Sequence, residues 1–127
     1  ISLPIEYFKS QLDSIPNHQS YKVIFLSDDM EYVKTVFPQK ENYIFSENTE
    51  IVDFQVIQHA DIAIISNSSF AWWAAYLSSK KNLVIAPKNW LGFRIGREHP
   101  KGIMTDRFKW RDVLDDRKVR PVEPNSR

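Results

Sequence analysis

No cysteine occurs among the 127 residues, so disulfide bonds and thiolate chemistry are both excluded. That absence suits the cytosol without requiring it. Long apolar runs are absent too. None reaches the roughly 18 residues that a membrane-spanning helix needs, and no stretch reads as a secretory leader. Neither sign of charge dominates: 17 Lys and Arg against 16 Asp and Glu leave a net charge of +1, which gives no reason to expect a nucleic-acid or membrane-surface partner. Glycine is scarce, with three residues, Gly92, Gly96 and Gly102, all in one segment. There is accordingly no glycine-rich phosphate loop and no Gly-x-Gly-x-x-Gly fingerprint, which argues against a Walker-type ATPase or a dinucleotide fold. The three histidines, His18, His59 and His99, do not stand at metal-ligand spacing and read as surface or loop residues.

What is present is the make-up of one globular domain with a real core. The chain is 43% hydrophobic and 26% charged, and four Trp, five Tyr and eight Phe supply bulk for a core or a pocket. Ser2 to Ile15 reads as a helix, with Ser2 as cap, Pro4 in the first turn, and Ile5, Phe8, Leu12 and Ile15 at helical spacing. Tyr21 to Leu26 reads as a strand. Asp28 or Asp29 can cap a helix running to Val36, which Pro38 stops. Tyr43 to Phe45 is a short strand, and Asn48 or Thr49 opens another helix. Ile62 to Ile65 and Leu83 to Ala86 are apolar strand runs. Between them, Ser68 to Ser79 is a helix apolar almost all round, so it is expected to be heavily buried. Residues 88–107 read as a loop, Phe108 to Leu114 as a closing helix, and the segment from Arg117 as an extended or disordered tail. Strands alternate with helices and are continuously apolar, which predicts an α/β fold with a parallel sheet covered on both faces by helices.

In open parallel sheets, ligands bind beyond the carboxyl ends of the strands. Ser27-Asp28-Asp29, Ser46-Glu47, Ser66-Asn67-Ser68-Ser69 and Pro87-Lys88-Asn89-Trp90 should therefore share one rim. The turn at Asn67-Ser68-Ser69 joins a strand to a helix start, where free backbone N–H groups and the positive end of the helix dipole can hold an anion. The plainer reading is capping, since Ser and Asn are favoured N-cap residues. Asp53 has two readings as well. Its carboxylate can accept two N–H bonds from guanine, or can simply favour a helix N-terminus electrostatically. Asp28 and Asp29 can hold a metal or polarise a donor, though more often one of such a pair is only a helix cap. Trp72 and Trp73 suit a core better than a sugar-stacking platform.

The run Asn67-Ser68-Ser69-Phe70-Ala71-Trp72-Trp73-Ala74-Ala75-Tyr76-Leu77 resembles the signature helix of the α-1,2-fucosyltransferases of glycosyltransferase family 11. Phe25-Leu26-Ser27-Asp28-Asp29 and Val84-Ile85-Ala86-Pro87-Lys88-Asn89-Trp90 are similar to two further segments of that family, in the same order, and the likeness covers roughly residues 5–115. It implies the C-terminal, Rossmann-like half of a GT-B type enzyme. Residues 1–116 would form an incomplete donor-binding domain, followed by the tail 117–127. The donor would be GDP-fucose, with inversion at the transferred carbon, a glycan hydroxyl as acceptor, and no cofactor or metal. By the same resemblance, Ser68 and Ser69 contact the donor phosphates, and Asp53, fifteen positions before Ser68, reads guanine. Phe70 forms a pocket wall with a backbone donor, and Asn67 and Asp28 complete the donor-binding set.

The sequence departs from the family in one respect. The His-x-Arg-x-x-Asp motif, whose arginine neutralises the leaving diphosphate, does not occur, and the family order places it before Ile1. With Ile1 in place of an initiating Met, the chain is expected to be a piece of a longer protein. It would lack the first strand of its sheet and the acceptor-binding N-terminal domain, and would be inactive alone. The resemblance also implies a cytoplasmic, bacterial-type enzyme, held peripherally at a membrane through the longer protein. A phospho-receiver domain is the competing expectation, prompted by the Asp pair after the first strand and Lys88 after the last. Against it, Ser66 and Asn67 stand where a phosphoacceptor Asp belongs, and Asp61 falls at the start of that strand.

Overall fold

A computed structural model of the chain describes residues 3–113. The elements run α1 (Ile5–Asp13), β1 (Val23–Phe25), α2 (Met30–Val36), β2 (Tyr43–Phe45), α3 (Glu50–His59), β3 (Ile62–Ile64), α4 (Ser69–Tyr76), β4 (Leu83–Pro87) and β5 (Lys109–Arg111). Three of the helices start on side-chain caps, as the sequence suggests. Asp29 accepts from Tyr32 N–H, Thr49 from Val52 N–H and Ser68 from Ala71 N–H, each filling one of the free donors of a first turn. The helix α1 instead begins after Pro4, which makes no side-chain cap; the expected cap, Ser2, lies outside the described residues, as does the tail from Arg117.

All strand pairs are parallel, as expected for an α/β fold, but they form two sheets: β1 with β2, and β3-β4-β5. The core lies between α4 and the larger sheet. Ala71 and Ala75 of α4 pack with Ala63 and Ile65 around β3, Val84 and Ala86 of β4, and Trp90 and Phe108. Alanine at these positions lets the helix axis approach the strands closely, while Trp72 and Trp110 fill the sides.

Three expectations are corrected. The segment from Phe108 is a strand, β5, pairing Lys109, Ala86-facing Trp110 and Arg111 with β4; Leu114 lies outside the described residues. Phe108 and Trp110 turn to the core while Lys109 is exposed, a period of two that three residues scarcely reveal. Next, α4 is not buried all round: Phe70, Trp73 and Tyr76, and Leu77 just after it, remain exposed. Finally, covering of both sheet faces holds for β4, whereas Ile24 and Ile44 of the small sheet are about 40% exposed (41% and 40%).

Candidate functional site

The carboxyl ends of β3, β4 and β5 lie side by side, which gathers Ser66-Asn67-Ser68-Ser69, Pro87-Lys88 and Arg111-Asp112 on one rim. At the end of β3, Ser68 Oγ accepts from Ala71 N–H at 3.3 Å. Capping is therefore real, yet it uses only the acceptor side of the hydroxyl; the O–H proton can still be donated. The N–H groups of Ser69 and Phe70 fall in the first turn and have no intrahelical acceptor. Asn67 is engaged in an interaction of its own.

Asp53 lies in the first turns of α3, half-buried. Its Oδ1 accepts from Ser46 Oγ at 3.1 Å, and that hydroxyl oxygen in turn accepts from Asn48 Nδ2 at 3.0 Å. Ser46 is itself buried at the end of β2, with its N–H donating to Phe25 O, so the carboxylate is set on a fixed base. The helices α3 and α4 run against each other, and the rings of Phe54 and Phe70, the residues after Asp53 and Ser69, meet edge to face with centroids 5.4 Å apart. The starts of the two helices are thereby brought alongside. Asp28 is exposed on the smaller sheet, and its neighbour Asp29 is the helix cap, with its own N–H donating to Ser27 Oγ at 2.9 Å.

Two hollows flank α4. One, of about 330 Å³, lies between α3 and α4 and is lined by Glu50, Ile51, Phe54, Gln55, Gln58 and Phe70. The other, of about 200 Å³, takes in Ser69, Trp72, Trp73, Trp90 and Lys101. Neither includes Asp53 or Ser68. Lys101 is a cation beside Ser69 that sequence reading passed over, because it lies 32 residues on, in a loop without period. That loop leaves β4 through Asn89 and Trp90, both with left-handed backbone (φ 67° and 56°), and Trp90 is buried under it.

The receiver-like features do not converge. Asp61 pairs with Lys80 at 2.7 Å at the amino end of β3, and Lys88 faces Asp112 at 3.8 Å. Among the described residues no group of three or more His, Cys, Asp or Glu is placed to hold a metal, and no helix is long and apolar enough to cross a membrane.

Parallel strands joined through helices, with loops and helix starts gathered at their carboxyl rim, define an α/β domain of the class in which ligands bind on that rim. Residues 3–99 match the model of glycosyl transferase family 11. The chain belongs to that family. Among curated proteins it is 29% identical over 94 residues to the O-antigen biosynthesis glycosyltransferase WbnK of Escherichia coli, covering 69% of this chain and 31% of that protein. It is 34% identical over 93 residues to an α-1,2-colitosyltransferase of Escherichia coli, covering 68% and 30%. The chain thus spans about a third of the length of these relatives. No solved structure matches it.

Proposed function

We propose that this chain is the donor-binding part of a glycosyltransferase that moves fucose, or a closely related deoxy sugar, from a GDP-linked donor to a glycan hydroxyl in α-1,2 linkage. The observation that carries the reading is the start of α4 at the carboxyl end of β3, where Ser68 caps through its oxygen and the first-turn N–H groups of Ser69 and Phe70 have no intrahelical acceptor. The diphosphate sits against those donors, stabilised by the helix dipole. Guanine is read by Asp53, one of whose oxygens is held by Ser46. Asn67 and Asp28 belong to the same set, and Phe70 walls the pocket. No metal or cofactor takes part. The name of one relative, an α-1,2-colitosyltransferase, supports the linkage.

The GT-B, Rossmann-like reading extends to the sheet. The two sheets are halves of one, in the order β2-β1-x-β3-β4-β5, where x is a parallel strand supplied by the N-terminal part of a longer protein. This is the doubly-wound order with its first strand missing. Support comes from α1, whose chain leads to β1 while its Tyr7 hydroxyl donates to Ile65 O at the end of β3. The longer protein would add the acceptor domain and the absent arginine motif, and the 127 residues alone would carry no transferase activity.

Calorimetric titration with GDP, UDP and ADP tests the reading. GDP is expected to bind at least ten-fold more tightly than the others, with that preference lost in Asp53→Ala and affinity for GDP lowered in Ser69→Ala. Equal binding of all three nucleotides, or no binding, would overturn it.

A further inference from the structure

The end of β5 carries a cation whose hydrogen-bonding needs are not met. Pairing with β4 sets Arg111 opposite Pro87, on the rim and on the same sheet face as that proline. The Nε–H of Arg111 is buried and has no hydrogen-bond partner. None of the ion pairs among the described residues uses its guanidinium, whereas Lys88 beside it faces Asp112 at 3.8 Å. A guanidinium cannot shed its proton to escape burial, so an unpaired buried N–H of this kind is costly until an acceptor, best an anion, arrives. Few native structures keep such a group without a reason.

Its place in the sheet relates it to the start of α4. The carboxyl end of β3, which leads into Ser66-Asn67-Ser68, lies two strands from that of β5 on the same rim, and there the Tyr7 hydroxyl donates to the carbonyl oxygen of Ile65 at 3.2 Å. Trp110 faces the core with α4, so Arg111 leaves the sheet on the opposite face, at the rim that bears the turn expected to cradle the phosphates. The first-turn N–H groups of α4 and the Arg111 fork would hold an anion from two sides.

Resting on the donor-binding reading above, we propose that Arg111 is a donor-binding residue whose guanidinium turns on binding to contact the diphosphate of the nucleotide sugar, giving its unpaired Nε–H an acceptor. The chain then carries a phosphate-neutralising cation of its own, separate from any arginine supplied upstream.

The test compares GDP with guanosine as ligands of the 127-residue chain and of Arg111→Met. The substitution is expected to weaken GDP at least ten-fold and to leave guanosine unchanged. It should not lower the melting temperature of the ligand-free chain, because it removes an unpaired buried N–H, but it should shrink the rise in melting temperature that GDP produces. A residue with a merely structural role would show the reverse pattern. Should Arg111→Met fail to fold, Arg111→Gln carries the same comparison. Unchanged GDP affinity in the variant, with Ser69→Ala still weakening GDP, would sink this inference and spare the donor-binding reading. No GDP binding by the unmodified chain overturns both.

Discussion

Tyr7 shows how one residue can be decisive and yet hard to read. The apolar stripe of α1 was expected at Ile5, Phe8, Leu12 and Ile15, but the most buried side chain of that helix is Tyr7, 1% exposed. The reason lies 80 residues away. In the β3–β4 ladder Ile65 N–H donates to Ile85 O at 2.9 Å, and the next bond needs an N–H at position 87, where proline has none. The carbonyl of Ile65 takes the Tyr7 hydroxyl instead. Burial pushes the Tyr7 hydroxyl well above the usual tyrosine range, and the Arg111 charge draws it part of the way back. Tyr7→Phe should lose about 1–3 kcal/mol, since a buried carbonyl is left unpaired. The pH dependence follows from the raised pKa in the fold. This contribution is whole below the unfolded tyrosine value of about 10 and is lost as pH rises toward the folded value. Urea midpoints between pH 7 and 11 should fall above about pH 10 in the unmodified chain, and fall less in Tyr7→Phe. By contrast Ser68 and Asp29 were legible, because a cap is a contact across three residues.

Among the elements, those flanked by local signals came out as expected. Pro38 and Thr49 bracket β2, and its bounds Tyr43–Phe45 agree with the apolar run. The closing strand β5 did not. Phe108, Trp110 and their charged neighbours fit one helical turn as well as a strand, and only the parallel ladder with β4 settles which. The hidden strand also hid Arg111, since a helix would not set that side chain on the rim. The loop from β4 to β5 depends on a close approach at Gly92, where an added Cβ would lie 1.8 Å from Arg97 O. Gly92→Ala must therefore spread the turn, with an expected loss of about 1–3 kcal/mol in thermal or urea unfolding. Gly96→Ala meets nothing within 4 Å but keeps a left-handed φ of 72°, so a smaller loss of about 1 kcal/mol is expected there.

For the molecule as a whole, the division into two parallel sheets has a measurable consequence. Val23 N–H donates to Asn42 O, and Ser46 N–H to Phe25 O, so the alternation of the strand turns the N–H of Ile24 away from β2. The bonds from Leu83 N–H to Asp61 O and from Ile65 N–H to Ile85 O turn Ile62 and Ile64 away from β4 in the same manner. If a strand is missing between β1 and β3, these three amides are the ones it would engage. In the 127-residue chain they should exchange with deuterium at least ten-fold faster than Ala63 and Ile85, as read by NMR. Comparable protection would mean that the edges are already satisfied and that no strand is missing.

The residues in order determined the succession of strands and helices as far as β4, the caps of α2, α3 and α4, and the family. These rest on spacings of a few residues, on stretches short enough for their own chemistry to decide. Which strands pair, where the sheet divides, that Pro87 leaves a carbonyl for Tyr7, and that Arg111 reaches the rim unpaired were decided by tertiary structure. Parallel pairing joins segments about twenty residues or more apart, and its register depends on the packing of whole helices against the sheet. No window of sequence contains both partners of such a contact.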